Sequence, residues 1–138
     1  MQTDTTVGLL SQDKRRLRTI KQRNLSKEFI KVYQSFSSLK NDSIRVPKSY
    51  KRRVRRSKKT TYIIKNCAVR VSHEKQNLPL FHHIQWNYST SANRSGENFE
   101  RSFCEQKADI IIEDKRGLYE GTPSSLYKIN DKKIMRLR

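Results

Sequence analysis

The sequence is poor in the residues that glycine-rich phosphate loops, disulfide frameworks and membrane spans require. Its 138 residues include four glycines, three prolines and two cysteines. So little glycine disfavours a backbone loop that cradles phosphate. Cys67 and Cys104 form no Cys-x-x-Cys pair, which excludes a disulfide framework and a redox motif. No apolar run is long enough for a bilayer span or a secretory signal, so we expect a soluble chain.

Basic side chains are abundant, and they are unevenly placed. The chain has 31 Lys and Arg against 13 Asp and Glu, and residues 1–60 hold 18 of the basic and only 4 of the acidic side chains. One block contains nine cations and no acid: Arg45, Lys48, Lys51, Arg52, Arg53, Arg55, Arg56, Lys58 and Lys59. Because like charges repel, we expect a polyanion to bind there. A solvated charged face and a nuclear-localisation signal are the alternatives.

A helix is predicted upstream of this block. Apolar residues recur there at steps of three and four: Phe29, Val32, Tyr33, Phe36 and Leu39. This spacing places them on one face of a helix over residues 26–39, with Ser26 as the N-cap. Pro47 follows and favours irregular backbone, so we expect the basic block to lie in a loop.

Strand-like patterns begin after the basic block. Residues 62–64, 69–71 and 78–81 are apolar or alternate in polarity, and Pro79 indicates that the last strand lies at a sheet edge or begins there. The remaining segments are predicted as a mobile or partner-ordered N-terminal stretch (1–13), a long polar loop (85–98), a short strand or docking segment (110–112) and a basic tail (128–138).

These elements predict an α+β fold with one small domain. An N-terminal helix would pack on a short, mainly antiparallel sheet, flanked by basic N- and C-terminal extensions. Since 33% of the residues are hydrophobic and 32% are charged, there is apolar material for one small core only. The predicted boundaries are an extension over 1–22, a core domain over 23–103 and an extension over 104–138.

We find no catalytic constellation in the sequence, so the prediction is that the chain is not an enzyme. It has no nucleophile elbow and no pair of acids in an apolar setting. Candidate metal ligands are Cys67, His73, His82, His83 and Cys104, and none of their spacings matches a compact zinc pattern. We therefore expect neither a metal nor a cofactor. The aromatic residues Trp86, Tyr88, Phe99 and Phe103 could stack on unpaired bases or belong to the core.

Five segments follow one another between residues 23 and 103. They are Arg23-Asn24-Leu25-Ser26-Lys27-Glu28-Phe29-Ile30, Arg55-Arg56-Ser57, Val71-Ser72-His73-Glu74-Lys75-Gln76-Asn77-Leu78-Pro79-Leu80-Phe81, Gly96-Glu97-Asn98-Phe99 and Arg101-Ser102-Phe103. In order and spacing they resemble the motifs of the universal S-nineteen family of small-subunit ribosomal proteins. The resemblance implies a structural constituent of the small ribosomal subunit that binds small-subunit rRNA in the head and supports translation.

The same resemblance implies partners and contact residues. The partners would be small-subunit rRNA, the neighbouring head protein numbered thirteen and tRNA near the decoding region, with no membrane. The residues expected to contact rRNA are Arg23, Lys27, Lys51, Arg52, Arg53, Arg55, Arg56, Ser57, Lys58, Lys59, Lys75, Asn77 and Arg101. They would act by neutralising phosphate charge and releasing counterions.

Two other classes of protein are weighed against this interpretation. A DNA-binding or chromatin-like protein would need its cations on a recognition helix, whereas the predicted helix over 26–39 carries few. An RNA-processing enzyme would need a catalytic acid, base or metal site, and the sequence offers no candidate for one. The low glycine content and the terminal extensions favour an organellar ribosome, with the mitochondrial matrix as the expected location and a plastid or cytoplasmic ribosome as the alternative.

Overall fold

A computed structural model describes residues 1–24, 27–72 and 84–138 of the protein. These residues form a seven-stranded mixed sheet with helices beside it. The strands are β1 (Gly8–Ser11), β2 (Ile30–Tyr33), β3 (Thr60–Ile64), β4 (Cys67–Val71), β5 (Trp86–Ser91), β6 (Ser125–Ile129) and β7 (Ile134–Arg136). Their order is β1-β5-β2-β4-β3-β6-β7. The β2–β4 and β3–β6 pairs are parallel, and the other four pairs are antiparallel.

Four α-helices and one short 3-10 helix are described beside this sheet. They are α1 (Lys14–Lys21), α2 (Phe36–Asn41), the 3-10 helix (Lys48–Tyr50), α3 (Lys51–Arg56) and α4 (Arg101–Lys107). Asp13 caps α1, because its carboxylate accepts hydrogen bonds from the backbone N–H groups of Arg15 and Arg16 at 2.8 and 3.1 Å.

Two apolar clusters hold the helices to the sheet. The larger one joins α2 and α3 to the central strands and contains Tyr33, Phe36, Leu39, Val46, Val54, Tyr62, Ile64, Val69, Val71 and Ile129. The smaller one joins α1 and α4 to the β1 end and contains Val7, Leu9, Leu17, Phe29, Ala92, Phe103 and Cys104. Phe103 thus belongs to the core, which was one of the two roles left open for it.

The predicted fold class is wrong. The sheet has seven strands with parallel pairs and helices from several parts of the chain, in place of one helix on a short antiparallel sheet. Strands β1, β6 and β7 come from the predicted extensions and pair within the same sheet. The prediction failed because long-range pairing of short strands leaves no local pattern that fixes their order. The predicted domain boundaries stay a prediction.

The predicted helix over 26–39 is a strand followed by a helix. Within it, β2 ends at Tyr33 and α2 begins at Phe36. Ser35 is the N-cap at which the strand gives way to the helix, because its Oγ accepts a hydrogen bond from the backbone N–H of Ser38 at 3.0 Å. Tyr33, Phe36 and Leu39 still reach one core, so the apolar spacing was compatible with both structures. Leu25 and Ser26, the predicted N-cap, lie outside the described residues.

Other local predictions had mixed outcomes. The strands near 62–64 and 69–71 are confirmed as β3 and β4, which are joined by a two-residue turn with positive φ at Lys65 and Asn66. Residues 1–13 contain β1, the polar segment 85–98 contains β5, and the basic block contains the 3-10 helix and α3, so those loop predictions are wrong. The strand expected at 78–81 lies outside the described residues.

Candidate functional site

A polar cleft lies on the sheet face that points away from α2 and α3. Along β4, Val69 and Val71 pack into the larger apolar cluster, so the intervening Arg70 points to the opposite face. There Arg70 helps to line a cavity of about 490 Å³. We call this cavity the hydroxyl-lined cleft. Its lining includes Thr3, Thr5, Thr6, Gly8, Arg23, Ser89, Thr90, Ser91, Asn93, Glu120, Gly121, Ser124 and Arg138.

Arg70 is fixed in the wall of the cleft by a buried polar network. Its Nη1 donates to Asp4 Oδ1 at 2.6 Å, and its Nε and Nη2 donate to Thr61 Oγ1 at 3.2 and 3.0 Å. Thr61 Oγ1 is also 3.1 Å from Ser124 Oγ. Thr61, Arg70 and Ser124 are all buried. The charge of Arg70 is therefore balanced within the protein, and the residue supports the shape of the cleft.

Lys21 fixes the turn that follows β5. Its Nζ donates to the backbone oxygen of Ser91 at 3.0 Å, to Asn93 Oδ1 at 2.6 Å and to the backbone oxygen of Asn93. Burial, and to a smaller extent the nearby charge of Arg23, lowers the pKa of Lys21 to about 8. The ammonium is thus still mainly protonated at neutral pH, where it holds the Ser91–Asn93 backbone against α1.

A covering segment over residues 118–123 passes across one side of the cleft. The backbone N–H of Tyr119 donates to Gln2 Oε1 at 3.0 Å. The next residue, Glu120, accepts a hydrogen bond from the backbone N–H of Phe99 at 2.5 Å. The covering segment is thereby tied both to the N-terminal strand region and to the residues that follow β5.

Gly121 lets the covering segment come very close to the N-terminal region. A Cβ atom at this position would lie 1.9 Å from the backbone oxygen of Thr5, well inside van der Waals contact. Any side chain at Gly121 would push the covering segment away from Thr5. The width of the cleft at this point therefore depends on the absence of a side chain.

Arg23 and Arg138 line the cleft without forming an ion pair among the described residues, although the charge of Glu28, another lining residue, acts on Arg23. Arg23 packs its guanidinium 5.0 Å from the Phe29 ring centre, and burial lowers its pKa. Arg138 donates from Nε to the backbone oxygen of Ser124 at 3.1 Å. Neither takes part in the ion pairs of the described chain. These two cations can balance the negative charge of a bound ligand.

The basic block forms a second feature, on the helix side of the sheet. Five of the six residues of α3 are basic, and only Val54 is buried. We call the exposed cations Lys51, Arg52, Arg53, Arg55, Arg56, Lys58 and Lys59 the basic ridge. The guanidinium groups of Arg53 and Arg55 each lie 4.9 Å from an aromatic ring centre, those of Tyr127 and Phe36 respectively.

The cleft and the basic ridge lie on opposite faces of the sheet. Val54 of α3 packs with Val69 and Val71, whereas Arg70 between them faces the cleft. A ligand in the cleft and a partner on the basic ridge would thus be separated by the sheet.

The other residues predicted to contact RNA do not join the basic ridge. Ser57 ends α3, where its Oγ donates to the backbone oxygen of Arg53 at 2.7 Å. Lys27 is exposed elsewhere, and Arg101 forms ion pairs with two glutamates on and after α4. Arg23 lines the cleft, on the other face of the sheet. Lys75 and Asn77 lie outside the described residues.

Sequence reasoning missed the cleft, because its lining comes from segments predicted to be mobile or looped. In β5, Ser89 and Ser91 line the cleft, and the aromatic residues Trp86 and Tyr88 pack against the apolar clusters. The alternation of aromatic and hydroxyl side chains over 86–91 was the available signal for this strand.

The described residues contain neither a cluster of metal ligands nor a helix that could span a membrane. Within 1–24, 27–72 and 84–138, no three His, Cys, Asp or Glu side chains come together in a way that could hold a metal ion. In the same part of the chain, no helix has the length and apolar character needed to cross a membrane.

Comparison with known proteins gives a family and a fold. The Sua5/YciO/YrdC family model, described as telomere recombination, matches residues 1–138. The structure of a doubly substituted variant of P. abyssi Sua5 superposes with a TM-score of 0.78 at 20% identity, over 99% of this chain and 50% of that one. The solution structure of MTH1692 from Methanobacterium thermoautotrophicum gives 0.68 at 18% identity, over 99% and 76%. No curated protein matches significantly.

These findings overturn the ribosomal interpretation. The resemblance to the S-nineteen family is wrong, and so are the role as a small-subunit constituent, the rRNA and head-protein partners and the place in a mitoribosome. The DNA-binding alternative is not supported either. The resemblance misled because its motifs are short runs of basic, serine and aromatic residues. In the structure, Arg55-Arg56-Ser57 lies at the C-terminal end of α3, where the helix dipole favours cations.

Proposed function

Because the chain belongs to the Sua5/YciO/YrdC family, we propose that it functions in tRNA modification, binding RNA and holding a small anionic ligand in the hydroxyl-lined cleft. The family is associated with tRNA modification and RNA binding, which supports the choice of RNA as the macromolecular partner. The chain spans half the length of the P. abyssi Sua5 chain that it matches. The proposal therefore concerns only the half of the P. abyssi Sua5 chain to which this chain corresponds.

The observation that carries the ligand proposal is that Arg23 and Arg138 line a cleft of about 490 Å³ and belong to none of the ion pairs of the described chain. Sites for small molecules occupy about 300–1,000 Å³, so the cleft has a suitable size. Arginine binds carboxylate and phosphate oxygens through two N–H groups at once, which makes an anionic group the favoured ligand chemistry. Hydroxyls of Thr3, Ser89 and Ser91 can complete the hydrogen bonds of a polar ligand.

The remaining charged residues of the cleft would act as supports. Arg70 is held by Asp4, and Lys21 holds the turn after β5, so both preserve the geometry without losing a partner when a ligand leaves. The chemistry that these residues supply is binding and orientation. The prediction that the chain is not an enzyme stays a prediction, as does its location in the mitochondrial matrix.

The cleft proposal is tested with a nucleoside and its monophosphate, which differ by one anionic phosphate group. AMP and adenosine are titrated calorimetrically into the full chain and into its Arg138→Gln and Arg23→Gln variants. We expect AMP to bind at least about tenfold more tightly than adenosine, and each variant to lose about tenfold in AMP affinity, because a charge-assisted hydrogen bond contributes about 1.5–3 kcal/mol. Arg116→Gln, at an exposed arginine outside the cleft, is the matched control.

Two results would contradict the cleft proposal. One is equal affinity for AMP and adenosine, which would show that the arginines do not select a negative charge. The other is loss of AMP affinity in Arg116→Gln to the same extent as in the cleft variants, which would indicate a general effect of net charge.

A further inference from the structure

We propose that the basic ridge is a docking surface for the phosphate backbone of folded RNA, on the sheet face opposite to the hydroxyl-lined cleft. This inference takes RNA as the partner from the proposed function, and it assigns the binding surface. The surface is independent of the cleft, because the sheet and the larger apolar cluster lie between them.

The charge around the basic ridge is unbalanced within the protein. No acidic residue occurs anywhere between Asp42 and Glu74 in the sequence. The ion pairs of the described chain all use cations outside the basic ridge. Seven exposed cations within nine residues therefore repel one another, and a polyanion would relieve the repulsion and release its own counterions.

Two of these cations are already oriented. Arg53 lies over the Tyr127 ring, and hydrogen bonding with Tyr62 raises its pKa above the ordinary arginine value. Arg55 lies over the Phe36 ring. Anchored guanidinium groups lose less side-chain entropy when they bind phosphate, so the basic ridge is partly prearranged for a backbone ligand.

The positive surface continues beyond α3. A second cavity, of about 530 Å³, lies at the β3–β4 turn and the end of β6, and its lining includes three cations, Arg45, Lys65 and Lys128, against one acid, Asp131. Arg45, Lys65 and Lys128 are exposed. Because α3 alone is only about 9 Å long, this extension lets the surface contact several successive phosphates, as in a folded RNA.

The absence of an exposed apolar side distinguishes this surface from a membrane-binding helix. Amphipathic helices that lie on membranes insert an apolar face, whereas the single apolar residue of α3, Val54, is 1% exposed and points into the core. The large hydrophobic side chains that are exposed in the described residues lie elsewhere in the sequence, from Ile110 onward.

The test compares three variants of the full chain. Arg52→Gln with Arg56→Gln neutralises two exposed cations that do not contact an aromatic ring, and Arg52→Lys with Arg56→Lys keeps their charge. Arg15→Gln with Lys115→Gln removes two exposed cations outside the basic ridge and is matched in net charge. Each is titrated with an unmodified tRNA transcript, the DNA oligonucleotide of the same sequence and phosphatidylserine vesicles, at several salt concentrations. Thermal unfolding checks that each variant is folded.

We expect the glutamine pair at 52 and 56 to weaken tRNA binding at least about tenfold and to reduce the slope of log affinity against log salt by about 1–2. The lysine pair and the control pair should stay within about threefold of the wild type, because charge is kept in the first and the basic ridge is intact in the second. AMP binding in the cleft should be unchanged in all three, so the two proposals fail separately.

Several outcomes would overturn the inference. Unchanged tRNA affinity in the folded glutamine pair would show that the basic ridge does not contact RNA. An equal loss in the control pair would show a general charge effect. Equal affinity for the DNA oligonucleotide, or vesicle binding that depends on Arg52 and Arg56, would assign the surface to another polyanion.

Discussion

Arg70, in the middle of the sheet, forms a partly buried ion pair with Asp4, which precedes β1 near the chain start. The side chains are 7% and 17% exposed, and the Nη1–Oδ1 distance is 2.6 Å. The contact ties β4 to the N-terminal region at the wall of the cleft. It also explains how a full positive charge can lie within the sheet.

We expect Asp4→Asn to destabilise the protein by about 3 kcal/mol, since removal of one partner leaves the buried guanidinium uncompensated. Urea unfolding at pH 7 measures this. Asp114→Asn is the control, because Asp114 pairs with Arg116 on the surface, with side chains 50% and 65% exposed. It should cost no more than about 1 kcal/mol. Equal costs for the two variants would show that burial of the Arg70 pair is unimportant.

Lys21 predicts a pH dependence of stability. Its pKa is lowered from 10.5 to about 8, mainly by burial and secondarily by the charge of Arg23. Below pH 8 the lysine is protonated in both states, and between about pH 8 and 10.5 only the unfolded state keeps the proton. The unfolded state then binds more protons, so the free energy of unfolding from this group rises with pH, by on the order of 2 kcal/mol.

Chemical unfolding at pH 7, 8, 9 and 10 tests this rise. The free energy of unfolding of the wild type should rise relative to that of Lys21→Met over the upper part of that pH range. Lys27→Met, at an exposed lysine, should keep the wild-type profile. A constant difference between the wild type and Lys21→Met would be evidence against a lowered pKa.

Ser35→Ala should cost about 1 kcal/mol, because it removes the N-cap hydrogen bond to Ser38 at the start of α2. Ser37→Ala is the control. Ser37 is exposed within α2, and alanine has the higher helix propensity, so that variant should be as stable as the wild type or slightly more stable. If the two variants were equally stable, the cap would not contribute to the change from β2 to α2.

Gly121→Ala should loosen the covering segment. The added methyl group would lie 1.9 Å from the Thr5 backbone oxygen, and backbone atoms cannot yield as a flexible side chain does. We expect a destabilisation of about 1–3 kcal/mol, by analogy with overpacked cores, together with weaker AMP binding. Thr122→Ala, at the exposed neighbouring residue, should change neither property. Unaltered AMP affinity in folded Gly121→Ala would separate the covering segment from ligand binding.

The parts of the fold that were predictable are those with a local cause. The strands β3 and β4 follow from alternating residues such as Val69, Arg70 and Val71, and their pairing needs only a two-residue turn. The spacing from Phe29 to Leu39 was ambiguous, because Tyr33, Phe36 and Leu39 meet one core whether or not the helix is continuous. The N-cap at Ser35 is one local feature that distinguishes the two structures.

Of the two candidate sites, the one with a local cause in the sequence was predictable and the one formed by distant segments was not. The basic ridge was visible in the sequence because its cations are nearly consecutive, although its helix was not expected, since Pro47 favoured irregular backbone there. The cleft could not be found, because Asp4, Arg70 and Ser124 come together only through the pairing of distant strands. Alternating hydroxyls such as Ser89 and Ser91 are common on solvated strands and do not by themselves indicate a ligand.

The pairing of β3 with β6 gives the order in which the chain can fold during synthesis. Thr60 is the register partner of Ser125, so β3 acquires its second neighbour only after residues 125–129 have left the ribosome. Until then the nascent chain carries an open sheet edge at β3 and an exposed cationic helix, both of which favour association with other chains or with nucleic acid. We expect folding to be slow, because the pairs that complete the sheet are far apart in sequence.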